Sequence, residues 1–184
     1  DVLAEVNNGR LTIRMRSNGR YRNIEVKVAL TYVSLDEIDV SSAGAVKGSD
    51  RLKSEALEIE VSSAGSLALN ILSNSLDLDV SSLGFVALSL EVNKLEVEIS
   101  STGKVELTGQ VRDQALDISS VGHYEGFTMI SERTLVDISS GGHAQVYAKE
   151  RLDVHASSGG SVEFQGSPVS LSKRLGSGGC VSQY

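Results

Sequence analysis

Tryptophan is absent from this 184-residue chain, and aromatic residues of all kinds make up only 4%. Any interior must therefore be aliphatic, drawn from the 40% of residues that are apolar. Proline occurs once, at Pro168, and cysteine once, at Cys180. A single cysteine excludes an internal disulfide and leaves the compartment open. No apolar run approaches the ~18 residues of a membrane-spanning helix. No signal-peptide pattern is visible, and the start at Asp1 reads as a mature or trimmed form. Acids outnumber bases 24 to 17, for a formal charge of −7. Phosphate backbones and anionic lipid both require clustered Lys and Arg, so neither nucleic acid nor an anionic membrane surface is expected as a partner.

What is present is one short phrase, repeated. "DVSSAGAV" at Asp39–Val46 returns as "EVSSAGSLAL", "DVSSLGFVAL" and "EISSTGKVEL". With the first Ser of each phrase as position 0, the zeros fall at Ser41, Ser62, Ser81, Ser100, Ser119, Ser139 and Ser157, with Gly176 as a degenerate eighth. The spacings are 21, 19, 19, 19, 20, 18 and 19, a solenoid signature. Within a unit, apolar residues alternate at −5, −3 and −1 (Leu57, Ile59, Val61) and at +5 and +7 (Leu67, Leu69). That is the period of a strand, and no helical period competes with it.

Position +3 is Gly in all eight units: Gly44, Gly65, Gly84, Gly103, Gly122, Gly142, Gly160 and Gly179. Either a positive φ or crowded backbone at a corner explains this. Each unit then reads as strand, Ser-Ser-x-Gly corner, strand, loop. One unit buries too few aliphatics to offset the conformational entropy of ~19 residues at ~1–2 kcal/mol each, so the units must stack. The expected fold is all-β: a single-stranded, right-handed parallel β-helix of about eight coils with an N-terminal β-hairpin. The whole chain, 1–184, reads as one domain, with 1–34 as hairpin cap and 35–184 as repeat coils. The second Ser of each corner is expected to face inward and to satisfy its hydroxyl within a column of its own kind. A nucleophilic Ser would need an adjacent base and an orienting acid, which no unit supplies.

Residues 1–34 carry a charge of +3 against −10 for the rest. "LTIRMRSNGRYRNIEVKV" (Leu11–Val28) alternates on both sides of Asn18-Gly19, which predicts a hairpin turn there. A cap over the first coil's open edge is the plain reading of this segment, and a basic docking patch the sharper one.

"VNNGRLTI" (Val6–Ile13), "LDEIDVSSAGAV" (Leu35–Val46), the serial Ser-Ser-x-Gly units, "VEFQGSPVSL" (Val162–Leu171) and the closing Gly-Ser-Gly-Gly together resemble the bacterial head GIN domain family, whose members are described as "putative auto-transporter adhesins". The resemblance spans essentially the whole chain. It implies a right-handed parallel β-helix in exported bacterial proteins, often lipoproteins or cell-surface proteins, and brings no catalytic residues. The chain departs from the family in keeping Ser where Gly is frequent at +1. It also lacks the strands that usually precede the segment matching Val6, so the first coil is expected to be incomplete.

The strongest chemical feature is acidic. Position −2 reads Asp39, Glu60, Asp79, Glu98, Asp117, Asp137 and then His155, and position −4 adds Glu37, Glu58, Asp77, Glu96 and Asp153. Alternation puts them on one outer face. Two readings stay open: a ladder for divalent cations, and a solvated face that discourages aggregation. The second is favoured, and a melting temperature raised by millimolar Ca²⁺ beyond matched ionic strength would reverse that preference. The Gly-Gly-x-Gly-x-Asp pattern of calcium-binding β-rolls is absent. His123 and His143 both fall at +4, where a two-His metal site competes with plain surface decoration. Cys180 falls at +4 as well, as an outward lone thiol. Phe164 and Tyr124 fall inward, which leaves Phe85 as the only outward repeat aromatic expected and weakens a sugar-binding platform.

The reading that follows is a non-enzymatic, extracytoplasmic β-helix (periplasm, outer-membrane surface or secreted, with a lipoprotein form among the options) serving as an adhesin or surface-interaction module. No catalytic, cofactor or metal residue is assigned. Its partner is an unidentified macromolecule or cell-envelope component. The alternatives are a carbohydrate-binding or polysaccharide-active β-helix, and a structural assembly domain that pairs with its own kind through the weak last unit, where Lys173, Arg174 and Gly176 replace apolar and Ser residues.

Overall fold

An Asn-Gly pair flanked by alternating residues makes a tight hairpin because both turn positions need positive φ. Asn8 (φ 50°) and Gly9 (φ 83°) supply it. They join β1 (Val2–Asn7) to β2 (Arg10–Met15), which pair antiparallel with Asn7 opposite Arg10 and Val2 opposite Met15. The computed structural model describes residues 2–16 and 26–184. The turn expected at Asn18-Gly19 lies outside the described residues. The first arm of that expected hairpin, Leu11–Met15, is instead the second strand of the Asn8-Gly9 hairpin. Of the other arm, Val26–Val28 are described and are not in a strand. The hairpin belongs to a compact unit of Asp1–Tyr32, and Val33–Tyr184 form a second.

The second unit is a stack of parallel strands: β3 (Glu37–Val40), β4 (Ala45–Val61), β5 (Ser66–Val80), β6 (Phe85–Ile99), β7 (Lys104–Ile118), β8 (His123–Ile138), β9 (His143–Ala156), β10 (Ser161–Gln165), β11 (Ser170–Leu175) and β12 (Cys180–Gln183). Each pairs with the next coil, β9 with both β10 and β11, and β10 with β12. The result is a β-solenoid of about eight turns, with no helix among the described residues. The register keeps equal positions aligned: Val61, Val80, Ile99, Ile118, Ile138 and Ala156 form one continuous column. Nearly all of them are fully buried in a single aliphatic core, with Tyr124 and Phe164 the aromatics inside it.

The segment expected to be a loop is strand. In β5 the inward residues run Leu67, Ile71 and Ser73, and then Leu76, Leu78 and Val80, so alternation changes phase at Asn74-Ser75. Two consecutive outward residues, such as Asn93-Lys94 or Arg112-Asp113, turn the chain at this second corner without leaving the ladder. The unequal spacings are taken up as register shifts, between Lys47 and Arg51 and between Gly126 and Ile130.

The Ser-Ser-x-Gly corner is an eight-fold repeated turn in which the +3 amide donates to the carbonyl of position 0, as in Gly84 N–H to Ser81 O at 2.8 Å. The second Ser does not face inward. From Ser42 to Ser158 all seven are exposed and adopt left-handed φ of 48–59°. A residue at the tip of such a turn projects away from the core. Ala43, Ala64 and Leu83 at +2 are left-handed as well, whereas Thr102 and Val121 are not. β-branched side chains resist that region. The peptide between +1 and +2 is reversed accordingly. Ala43 N–H donates forward to Ser63 O, but Val121 N–H donates back to Ser101 O.

Gly at +3 answers to crowding, since none of the eight has positive φ. A Cβ on Gly84 would lie 2.5 Å from Val61 O, and one on Gly103 2.7 Å from Val80 O, both in the coil beneath.

Candidate functional site

The solenoid lays its outward residues on flat faces with one rung per coil. The acidic positions do assemble as expected: Glu60 is in register with Asp79, Asp79 with Glu98, Glu98 with Asp117, and Asp117 with Asp137. All of these carboxylates are exposed. At the C-terminal end the column becomes His155 and then Arg174, in register with each other. His155 Nδ1 lies 3.1 Å from Asp137 Oδ1, beside a shallow depression that Ser139 and Ser157 also line. An acid, a histidine and serines thus sit close together. Among the described residues, however, no serine hydroxyl is hydrogen-bonded to His155, so the relay that would activate a nucleophile is not formed. No group of three His, Cys, Asp or Glu among the described residues is placed to hold a metal.

The face that follows the Ser-Ser corner is chemically different. On coils five to eight it presents three adjacent columns. At +4 stand His123, His143, Ser161 and Cys180, in register. At +6 stand Glu125, Gln145, Glu163 and Ser182. At +8 stand Tyr147, Gln165 and Tyr184, with Phe127, eight residues after its own position 0, set out of their register by the bulge in coil five. Most of these side chains are half-buried against one another rather than fully solvated.

Hydrogen bonds order the grid. His143 Nδ1 lies 2.8 Å from Ser161 Oγ, and Gln145 Nε2 donates to Glu163 Oε2 at 3.0 Å. The His123 and His143 rings stand with centroids 4.8 Å apart, tilted by 38°. Lys104, one rung below, bridges Glu106 (2.8 Å) and Glu125 (2.9 Å), and these two carboxylates hold its ammonium above the ordinary lysine range. Burial, and then the neighbouring His143, push the His123 imidazolium below the ordinary histidine range. The rings of Phe127 and Tyr184 meet at 5.2 Å across the intervening rungs, and Tyr184 is 79% exposed.

Phe85 is outward as expected, but it is not the only repeat aromatic to be so. Phe127, Tyr147 and Tyr184 each fall eight residues after their position 0, an outward site, and counting two places beyond the +6 column would have found them. An extra residue in coil five hides the alignment. Tyr147 is in register with Ile130, while Phe127 precedes the bulge.

A family model described as "Putative auto-transporter adhesin, head GIN domain" matches residues 1–168. No curated protein matches the chain. Among solved structures, a "putative lipid binding protein" from Parabacteroides distasonis is similar at 21% identity and a TM-score of 0.87, covering 100% of this chain and 78% of that one. A "putative adhesin" from Parabacteroides merdae is similar at 20% and 0.85, covering 100% and 78%. Another "putative adhesin", from Bacteroides fragilis, is similar at 20% and 0.73, covering 100% and 76%. At such identities the structural likeness is one of fold. No helix among the described residues is long and apolar enough to cross a membrane.

Proposed function

This chain belongs to the head GIN domain family, and from that premise we propose that it is a non-enzymatic, extracytoplasmic surface-interaction module that grips its partner with the His/Glu/aromatic face of coils five to eight. The observation that carries this reading is the grid itself. Half-buried His143, Gln145, Tyr147 and Glu163 sit at fixed strand spacing on a flat sheet, a pre-ordered surface that loses little side-chain entropy on binding. The acidic column, exposed and of one sign from Glu60 to Asp137, is the weaker candidate.

The test is solid-phase binding of the purified chain to envelope preparations and to a glycan panel. Tyr147→Ala with Glu163→Gln should lower binding at least tenfold, while Glu60→Gln with Asp79→Asn should leave it within a factor of two. The opposite ranking would move the site to the acidic face. Protease accessibility on intact cells checks the compartment, and protection until lysis would refute an outer-surface location. The Phe127–Tyr184 ring pair favours a second reading of the partner as a glycan. A pyranose offers a C–H face to aromatic rings and a hydroxyl rim to carboxylate and amide groups. Binding to the glycan panel that Tyr184→Ala abolishes would support it.

A further inference from the structure

The geometry points to a second property of this face: His123 and His143 form a two-imidazole site for a divalent late transition metal, with Cu²⁺ preferred. The two residues are register partners on neighbouring parallel strands, so both rings leave the sheet in the same direction one rung apart. Their centroids are 4.8 Å apart. Two metal–nitrogen bonds of about 2.0–2.1 Å at tetrahedral or square angles need nitrogens roughly 3–3.4 Å apart. His123 is exposed, so its ring has room to turn toward His143 in the bound state.

Three further groups prepare the pair. Ser161 holds His143 Nδ1 at 2.8 Å, which leaves Nε2 as the metal-facing nitrogen and fixes the ring's orientation, as outer-shell hydrogen bonds do in built sites. Glu125 follows His123 by two residues on the same face and adds negative charge beside the pair. Lys104, the nearest cation, is tied to Glu106 at 2.8 Å as well as to Glu125, so it keeps a partner if Glu125 turns toward a cation. Neutral nitrogen donors select along the order in which Cu²⁺ exceeds Ni²⁺ and Zn²⁺, and they reject Mg²⁺ and Ca²⁺. With no third His, Cys, Asp or Glu placed to complete the site among the described residues, the remaining positions fall to water or to a donor from a bound partner.

The experiment is calorimetric titration of the metal-stripped chain, without a polyhistidine tag and in a Cys180→Ser background, so that the thiol cannot contribute. CuCl₂, NiCl₂, ZnCl₂ and MgCl₂ are each added in a non-coordinating buffer at pH 7.4. One equivalent of Cu²⁺ should bind, Ni²⁺ and Zn²⁺ more weakly, and Mg²⁺ not at all. His123→Gln and His143→Gln should each weaken Cu²⁺ at least tenfold, and His155→Gln, on the acidic face, should not. Circular dichroism confirms that each variant keeps its strands. Unchanged Cu²⁺ affinity in both His123→Gln and His143→Gln overturns the proposal, as does an equal loss in His155→Gln. Competition by Mg²⁺ also overturns it, because that would assign the binding to the carboxylate ladder.

Discussion

Replacing Gly84 by Ala adds one methyl group at the corner of the third coil. That methyl would lie 2.5 Å from Val61 O and 3.0 Å from both Ser81 O and Val80 Cγ1. None of these neighbours is a flexible side-chain tip. Val61 O already accepts Ser81 N–H at 3.0 Å, Gly84 N–H closes the turn on Ser81 O at 2.8 Å, and Gly84 O accepts Lys104 N–H at 2.9 Å. Relief requires one coil to lift from the next, which stretches those bonds. Overpacking of this kind costs roughly 1–3 kcal/mol, and a weakened buried backbone bond adds about 1 kcal/mol. Gly84→Ala should therefore destabilise the solenoid by about 2–4 kcal/mol. Gly141→Ala is the control. Gly141 has φ of +80° and only Ser120 O within 4 Å, at 3.8 Å, and Ala43 and Ala64 already occupy the equivalent corner position. Its cost should be about 1 kcal/mol, the ordinary penalty for a left-handed alanine. Urea unfolding followed by the β-strand circular dichroism signal measures both. If Gly141→Ala proves as damaging as Gly84→Ala, backbone angle rather than coil-to-coil crowding governs the repeat, and the argument fails.

Other consequences are as direct. Tyr124 OH accepts from Gln114 Nε2 at 2.9 Å while Gln114 Oε1 has no hydrogen-bond partner among the described residues, so Tyr124→Phe should cost roughly 1–3 kcal/mol by stranding the amide. Adding Gln114→Leu should recover most of that loss in the same urea assay, because Gln114 sits in register with Leu95 in a leucine-rich column. Burial and His143 lower the folded-state affinity of His123 for a proton, so the unfolded chain protonates first. Stability is then fully present above the unfolded value near 6.5 and falls as pH drops below it. With Lys104, Glu125 and His143 left in place, His123→Gln should flatten that fall in melting curves between pH 7 and 5. Burial likewise raises the Tyr124 phenol well above its ordinary range, so melting temperature should decline above pH 10, and less steeply in Tyr124→Phe. Ser82 is exposed at φ 48°, so Ser82→Asn should be near neutral and Ser82→Val should cost at least about 1 kcal/mol, read as a shift in urea midpoint.

The coil count, the alignment of glycines and the inward aliphatic columns were legible because each depends on spacing alone. Leu57, Leu76 and Leu95 stack as their numbers imply. What spacing does not encode is which backbone angle each corner residue takes. Ser at +1 reads as inward if alternation simply continues through the corner, but the turn puts it in the left-handed region with its side chain outside. The second corner looks like a loop in the sequence because its polar pairs, such as Asn93-Lys94, have loop composition and alternation does not reveal ladder bonds. Two Asn-Gly dipeptides stand ten residues apart, at Asn8 and Asn18, and flanking alternation alone does not say which of them closes a hairpin. The +4 residues of the grid on coils five to eight are legible from spacing, but the grid as a whole is not, because its members come from four coils of unequal length. Phe127, Tyr147 and Tyr184 share a count of eight from position 0, but the bulge near Gly126 takes Phe127 out of register with Tyr147, and it is the ring contact with Tyr184 that returns it to the group.

The backbone ladders among the described residues bond each coil of the solenoid only to the coil above and the coil below. Load applied along the stack therefore has no shortcut through the backbone and must be borne by one set of ladders at a time, with side-chain contacts such as Arg51–Glu91 and Phe127–Tyr184 the exceptions that reach past a neighbouring coil. A pulled end would peel away turn by turn, each turn paying out about 19 residues of chain, or roughly 60 Å at ~3.3 Å per residue. Under shear the protein would behave as a spool, lengthening in equal steps while the unpeeled turns keep their shape.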